Sequence, residues 1–368
     1  MKRIKMNRCT LFILAGFVLS SAHAQKSAIN ATTTAVPFLK ISPDARSGGM
    51  GDAGIGLSAD ANSVFYNGAK TVFAASKAGI AATYTPWMKD IADDMYMATL
   101  AGYKQLDEEQ ALTGSVRYFN LGNCNVINYN GDLLSTAHPR EYAFDLGYAR
   151  KISRVFSAGV ALRYIHSKLA TGSLNGSSYK AGTAVAADLS VFYNGVKENG
   201  GGWTAGFSLS NLGSKIGYTN DNTRKDFLPA NLGIGTAYTD VWDDQNRFTI
   251  ALDVNKSLVP KVPDATESMN AYYNKGVIDG VFNSFNNNAW SMGLGMEYAY
   301  DQRLFVRGGY STQTYAAGNW QYVTTGLGLR YDIATINFSY FIPTGDKVNR
   351  NPLANTIRFG VLFQLYGK

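Results

Sequence analysis

His166 and Ser167 stand side by side, two residue types that, with an acid, perform nucleophilic acyl transfer. The stretch around them alternates apolar and polar residues, however, and neighbours on a strand point to opposite faces. Direct contact between the pair is therefore disfavoured. Cys124 and His138 fall in one predicted loop, but two ligands without a third make a poor zinc site. Gly49, Gly51 and Gly54 have the spacing of a dinucleotide-binding fingerprint. That motif needs a strand before it and a helix after it within a parallel βαβ unit. Here a Pro-containing extension precedes and an antiparallel array follows, so tight glycine turns are the better reading. No catalytic residue, cofactor or metal-ligand set is assigned.

A second set of chemically capable residues is larger. Arg117, Asp145, Arg163, Asp188, Asp253, Glu297, Arg307, Arg330 and Arg358 all fall on the small, polar side of alternating segments. On the apolar side each would meet hydrocarbon; on the polar side each has an interior to sit in. Two readings follow: a polar ligand route through a lumen, or charges that pair with one another and with a plug. The second is favoured.

The elements that position these charges are read from period-two alternation. In 156–164, Phe156, Ala158, Val160, Leu162 and Tyr164 share one face, and Ser157, Gly159, Ala161 and Arg163 the other. Near the end, Ile357, Phe359, Val361, Phe363 and Leu365 oppose Arg358, Gly360 and Gln364. Strands are placed at 77–86, 95–105, 110–120, 141–151, 154–168, 180–194, 203–212, 228–240, 247–256, 289–301, 303–312, 322–332, 334–342 and 355–367. Many reach the roughly 9 to 11 residues a tilted strand needs to cross a bilayer. Connections alternate short and long: 106–109, 152–153, 301–302 and 332–333 are tight, whereas 121–140, 213–227 and 256–288 are long. The expected fold is all-β, a transmembrane antiparallel barrel of about 14 strands with short periplasmic turns and long extracellular loops. A soluble all-β protein is the competing fold.

Residues 1–24 read as a secretory signal peptide: Lys2, Arg3, Lys5 and Arg8, an apolar run from Leu11 to Leu19, then Ala22-His23-Ala24. Loss of those four basic residues lowers the formal net charge from +7 to +3, so the basic balance does not point to nucleic acid. One cysteine, Cys124, remains beyond the leader, which excludes an intrachain disulfide there. Residues 25–76 lack strand alternation and are expected to form a plug, with a helical turn near Asp60 to Tyr66; the barrel then occupies 77–368. In the largest loop Met269, Tyr272, Tyr273, Val277, Ile278, Val281 and Phe282 recur at helical spacing. A short amphipathic helix is expected, serving as a docking surface or folding over the barrel mouth.

The stretch Pro37 to Gly54, with Pro43, Arg46, Gly49, Gly51 and Asp52, continuing through Asn62, Tyr66 and Asn67, resembles the N-terminal signature of the PorV/PorQ family of type IX secretion outer-membrane proteins. The resemblance extends in length and strand rhythm over the chain beyond the leader; its specific motif lies within 37–70. One departure is Asn67-Gly68-Ala69 where the family usually has Asn-Pro-Ala. The resemblance implies a FadL-like barrel of the outer membrane that is not itself the protein-conducting pore. It also implies that the chain binds cargo carrying a C-terminal secretion domain at the translocon barrel and delivers it to the PorU-type sortase and attachment complex. A FadL-type transporter of hydrophobic small molecules is the alternative. Loops 121–140, 213–227 and 256–288 are the expected contact surface, with Tyr272, Tyr273, Val281 and Phe282 as candidate contacts.

Overall fold

A computed structural model describes residues 32–88, 94–127, 130–170, 172–174, 177–221, 223–263, 269–344 and 356–365. The leader read over 1–24 lies outside the described residues, as do 25–31 of the expected plug and the ends of the last predicted strand.

Fourteen strands close into a barrel: β1 Ala78–Pro86, β2 Met95–Gln105, β3 Gln110–Leu121, β4 Arg140–Lys151, β5 Phe156–Lys168, β6 Gly182–Val196, β7 Gly202–Gly213, β8 Asn231–Val241, β9 Asn246–Ser257, β10 Trp290–Tyr300, β11 Leu304–Gln313, β12 Gln321–Tyr331, β13 Ala334–Thr344 and β14 Ile357–Leu365. Each pairs antiparallel with its sequence neighbours, and closure pairs Ala78 with Leu365. Every predicted strand is present, with its described ends within three residues of those read from the sequence. The long loops also carry two short hairpins, Cys124–Ile127 with Leu133–Ala137 and Gly172–Leu174 with Ser177–Tyr179, whose strands are too short to establish an alternation in the sequence.

Alternation fixes the faces. In β5, Phe156, Val160, Leu162 and Tyr164 are exposed while Ser157, Arg163, Ile165 and Ser167 are buried. In β14, Ile357, Phe359, Phe363 and Leu365 face out and Arg358, Leu362 and Gln364 face in. Apolar outside and charged inside is the inverse of a water-soluble sandwich, and it suits a hydrocarbon surround. Aromatic rings gather at both ends of the outer face. Tyr84, Tyr96, Tyr118, Tyr142 and His166 follow one another around the long-loop end, with Tyr84 and Tyr96 centroids 5.4 Å apart and Tyr142 stacked on His166 at 4.7 Å. At the short-turn end Phe156 meets Tyr193, Trp203 meets Tyr238, and Trp242 meets Phe248 and Tyr298. These are the two girdles expected at membrane interfaces. Among the described residues no helix is long and apolar enough to cross a membrane.

Local chemistry sets the short turns. Asp107 accepts hydrogen bonds from the backbone N–H of Glu109 and Gln110, and Asp243 does the same for Gln245 and Asn246. Asp301 and Gln302 both take positive φ, 49° and 50°, which suits a tight connection between twisted antiparallel strands.

Candidate functional site in the barrel lumen and at its long-loop rim

The described N-terminal segment, 32–76, runs down the inside of the barrel. At the long-loop end Val36, Phe38, Leu39 and Ile41 pack against inward-facing Met97, Phe119, Ile165 and Phe341, together with Trp87 and Ile216. This half of the lumen holds an apolar cluster built with the chain's own segment, with buried Glu141 and Ser167 on the wall beside it. At the short-turn end Val72 and Phe73 pack against Ala111 and Ala149, just before β1 begins.

Between these ends the contacts are ionic. Asp44 caps the single helical turn Ala45–Gly48, accepting from Arg46 N at 3.0 Å and Ser47 N at 2.9 Å. That turn aims the Arg46 guanidinium at Asp60, 3.1 Å away, and at Glu297 of the wall, 3.2 Å away. Glu297 is also held by Arg307 at 2.7 Å, whose other arm donates to Asn337. Arg358 donates to Asp52 at 2.7 Å, and the Tyr322 hydroxyl donates to the same carboxylate. Asp253 accepts from the backbone N–H of Gly54 and Ile55 at 2.7 and 2.8 Å. Arg117 donates to the Leu39 carbonyl and lies over the Phe65 ring. Arg163 is paired with Asp145 and Asp188 within the wall, and Arg330 donates to Thr335 and Gln364. All nine charges sit on the interior side of their strands, joined to one another, to the segment or to polar wall residues.

The motif glycines serve close approach. Gly51 has φ +68°, and a Cβ there would lie 2.5 Å from the carbonyl oxygens of Leu294 and Tyr310. A Cβ on Gly49 would lie 3.0 Å from Gly326 Cα, and one on Gly54 would enter the Tyr66 ring. The nucleotide-like spacing is thus a packing pattern. Tyr66 is hydrogen-bonded to Ser42, Asn62 donates to Asp44 at 2.9 Å, and Pro43 is buried directly before the cap. Asp44, Asp60 at the start of the expected helical turn, and Lys70, whose Nζ donates to the Gly54 carbonyl at 2.6 Å, complete this core outside the expected motif set. The cap pattern of an Asp before Ala-Arg-Ser and before Ala-Asn-Ser was the available signal.

The turn at Asn67 forms without the family's proline. The Asn67 side chain accepts from Ala69 N at 3.1 Å and opens the 3₁₀ turn Gly68–Phe73. Gly68 is the first residue of that turn, its side-chain direction is open space, and Asn67 is extended (φ −157°, ψ 96°). Pro at a first helical position is pre-organised and removes unfolded-state freedom. Gly68→Pro is therefore expected to stabilise the protein by about 0.4–1 kcal/mol. Urea unfolding in detergent checks it, and a loss of stability would show the turn to be strained.

His166 and Ser167 point to opposite sides of the wall: His166 stacks on Tyr142 outside, while Ser167 donates to buried Glu141 at 2.6 Å inside. Cys124 is exposed on the first loop hairpin, and His138 is hydrogen-bonded to Asn123.

At the rim, the expected loop helix is two helices, α1 Met269–Asn274 and α2 Val277–Ser284, separated at Gly276, which takes an extended N-cap conformation. Tyr272 is a correction to the expected contact set: it is 5% exposed and packs edge-on against Phe227, with Val259 alongside. Burial pushes its phenol up to about 12. Tyr273 is half-buried beside it and Val281 is half-buried, whereas Phe282 is 70% exposed. Ile278 and Phe285 are exposed as well and lie outside the expected contact set.

The sequence matches the family described as "Type IX secretion system protein PorV" over residues 22–264, more than half of the chain. In fold it is similar to the Ralstonia pickettii toluene transporter TbuX (TM-score 0.54, 10% identity, covering 89% of this chain and 98% of that one). It is similar also to the Pseudomonas putida toluene transporter TodX (0.52, 11%, 86% and 95%) and to a Pseudomonas aeruginosa FadL homologue (0.50, 10%, 91% and 100%). At such identities the likeness concerns architecture alone. Comparison with curated protein sequences gives no match. By its sequence match, and with a FadL-like barrel to accompany it, this chain belongs to the PorV family of outer-membrane type IX secretion components.

Proposed function

We propose that this protein receives cargo carrying a C-terminal secretion domain at the type IX translocon barrel and hands it to the PorU-type sortase and attachment complex, working from its extracellular rim. The observation that carries the reading is the filled lumen. Phe38, Leu39 and Ile41 pack within the long-loop half, and the Arg46–Glu297–Arg307 and Asp52–Arg358 pairs tie the segment across the middle. A folded protein has no passage there, and the apolar space open to a small hydrophobic molecule is reduced by the chain's own Phe38, Leu39 and Ile41. Segment 32–76 acts as a plug. The long loops 121–140, 213–227 and the part of 256–288 outside helix α2 then form the binding surface, gripping a β-rich domain by strand addition or side-chain packing.

Affinity capture from outer membranes of a secreting cell tests this. Cargo domains and the translocon are expected to co-purify, and replacing the loop hairpin 124–137 with a short Gly/Ser linker is expected to reduce cargo capture by about tenfold while the barrel still folds. Undiminished capture by loop variants, or none by the intact protein, overturns the proposal.

A further inference from the structure

Helix α2 is held on the outside of the barrel. Phe227 and Leu228 are adjacent, yet Leu228 joins the luminal core with Ile216 while Phe227 packs with Val259 and Tyr272 in a separate cluster. Lys256 lies in the outward register of β9, opposite outward-facing Trp290. Its ammonium donates to the Ser284 carbonyl at 2.9 Å, at the C-terminus of α2, and is hydrogen-bonded to Asn287. Lys215 faces away from buried Ile216 and donates to the Tyr273 carbonyl at 2.7 Å, at the end of α1. Two cations on the barrel flank thus hold the negative ends of both helices against the wall.

The surface of α2, continued to Asn286, divides into three sectors. Gly280 and Ser284 are buried, with Val277 and Val281 half-buried beside them. Asp279, Asn283 and Asn286 form an exposed polar stripe. Ile278, Phe282 and Phe285, 72%, 70% and 57% exposed, form a third, apolar stripe. At 3.6 residues per turn these stripes do not overlap. A helix with one face on protein, one toward water and one apolar is built for a boundary between water and hydrocarbon. The boundary is near: Trp290, Met292 and Leu294 continue down the outer wall in the lipid-facing register.

We propose that α2 docks in the edge of the surrounding leaflet, with Ile278, Phe282 and Phe285 among acyl chains and Asp279 and Asn283 in water. The occupant of the apolar stripe is lipid, because Lys256 binds the Ser284 carbonyl, next to Phe285, and pairs across the sheet with lipid-facing Trp290, which sets the helix end at the level of the lipid-facing wall.

The test uses the full chain as isolated from the membrane, placed in phospholipid nanodiscs, with exposed Cys124 replaced by serine and one fluorophore at Phe282→Cys, Phe285→Cys or Asn283→Cys. Leu162→Cys serves as the wall control, and heat-modifiable gel mobility verifies folding. Doxyl-labelled lipids are expected to quench the 282 and 285 labels to within about twofold of the 162 label, while iodide quenches the 283 label at least threefold more than either. Iodide quenching at 282 and 285 equal to that at 283, without doxyl quenching, overturns the proposal and leaves the stripe as a protein contact. The two labelled positions are independent, so misfolding of one variant leaves the other to decide.

Discussion

Replacing Arg46 with alanine is expected to loosen the N-terminal segment inside an intact barrel. The guanidinium joins Asp60 of the segment to Glu297 of the wall and also donates to the Ser58 carbonyl and hydroxyl. Its loss leaves Asp60 without its cation and Glu297 with Arg307 alone. Breaking a largely buried pair by removing one partner costs about 3–5 kcal/mol. Arg46→Lys should recover part of this, since a single ammonium cannot bridge both carboxylates in the same geometry. Limited proteolysis in detergent reads the effect: cleavage within 44–60 should appear in Arg46→Ala, diminish in Arg46→Lys, and be absent from the parent. Equal resistance in all three would mean that the remaining contacts, Asp52–Arg358, the Asp253 hydrogen bonds and the apolar packing, hold the segment without Arg46.

Gly51→Val should have the larger effect, because two constraints add. The positive φ of 68° is costly for a β-branched residue, by about 1–2 kcal/mol or more. The new side chain would also meet carbonyl oxygens of β10 and β11, backbone that the barrel hydrogen bonds hold in place. The wall cannot yield, so the segment must. Urea unfolding in detergent should show separate loss of the segment ahead of the barrel, at a denaturant concentration well below that of the parent; an unchanged profile would contradict the close approach described for Gly51.

Residue alternation carried most of the fold because a membrane barrel imposes hydrocarbon on every second side chain of each strand. Alternation alone places Arg163 and Arg358 inside, and both are buried there. Their partners were not legible. Asp253 holds backbone N–H groups of Gly54 and Ile55, and Glu297 holds Arg46, contacts 198 to 251 residues apart in sequence that only the threading of the segment brings together. Helical spacing likewise located the loop helices without orienting them. Tyr272 and Phe282 both lie on apolar stripes, and only the position of Phe227 decides that the first is covered and the second open.

The central claim is that the barrel is closed by its own N-terminal segment and works at its rim. Single-channel recording in planar bilayers tests it most directly. The intact protein should give no steady ion conductance, and Arg46→Ala or Gly51→Val should introduce discrete conducting steps. Steady, large conductance from the intact protein, unchanged by either substitution, would contradict it.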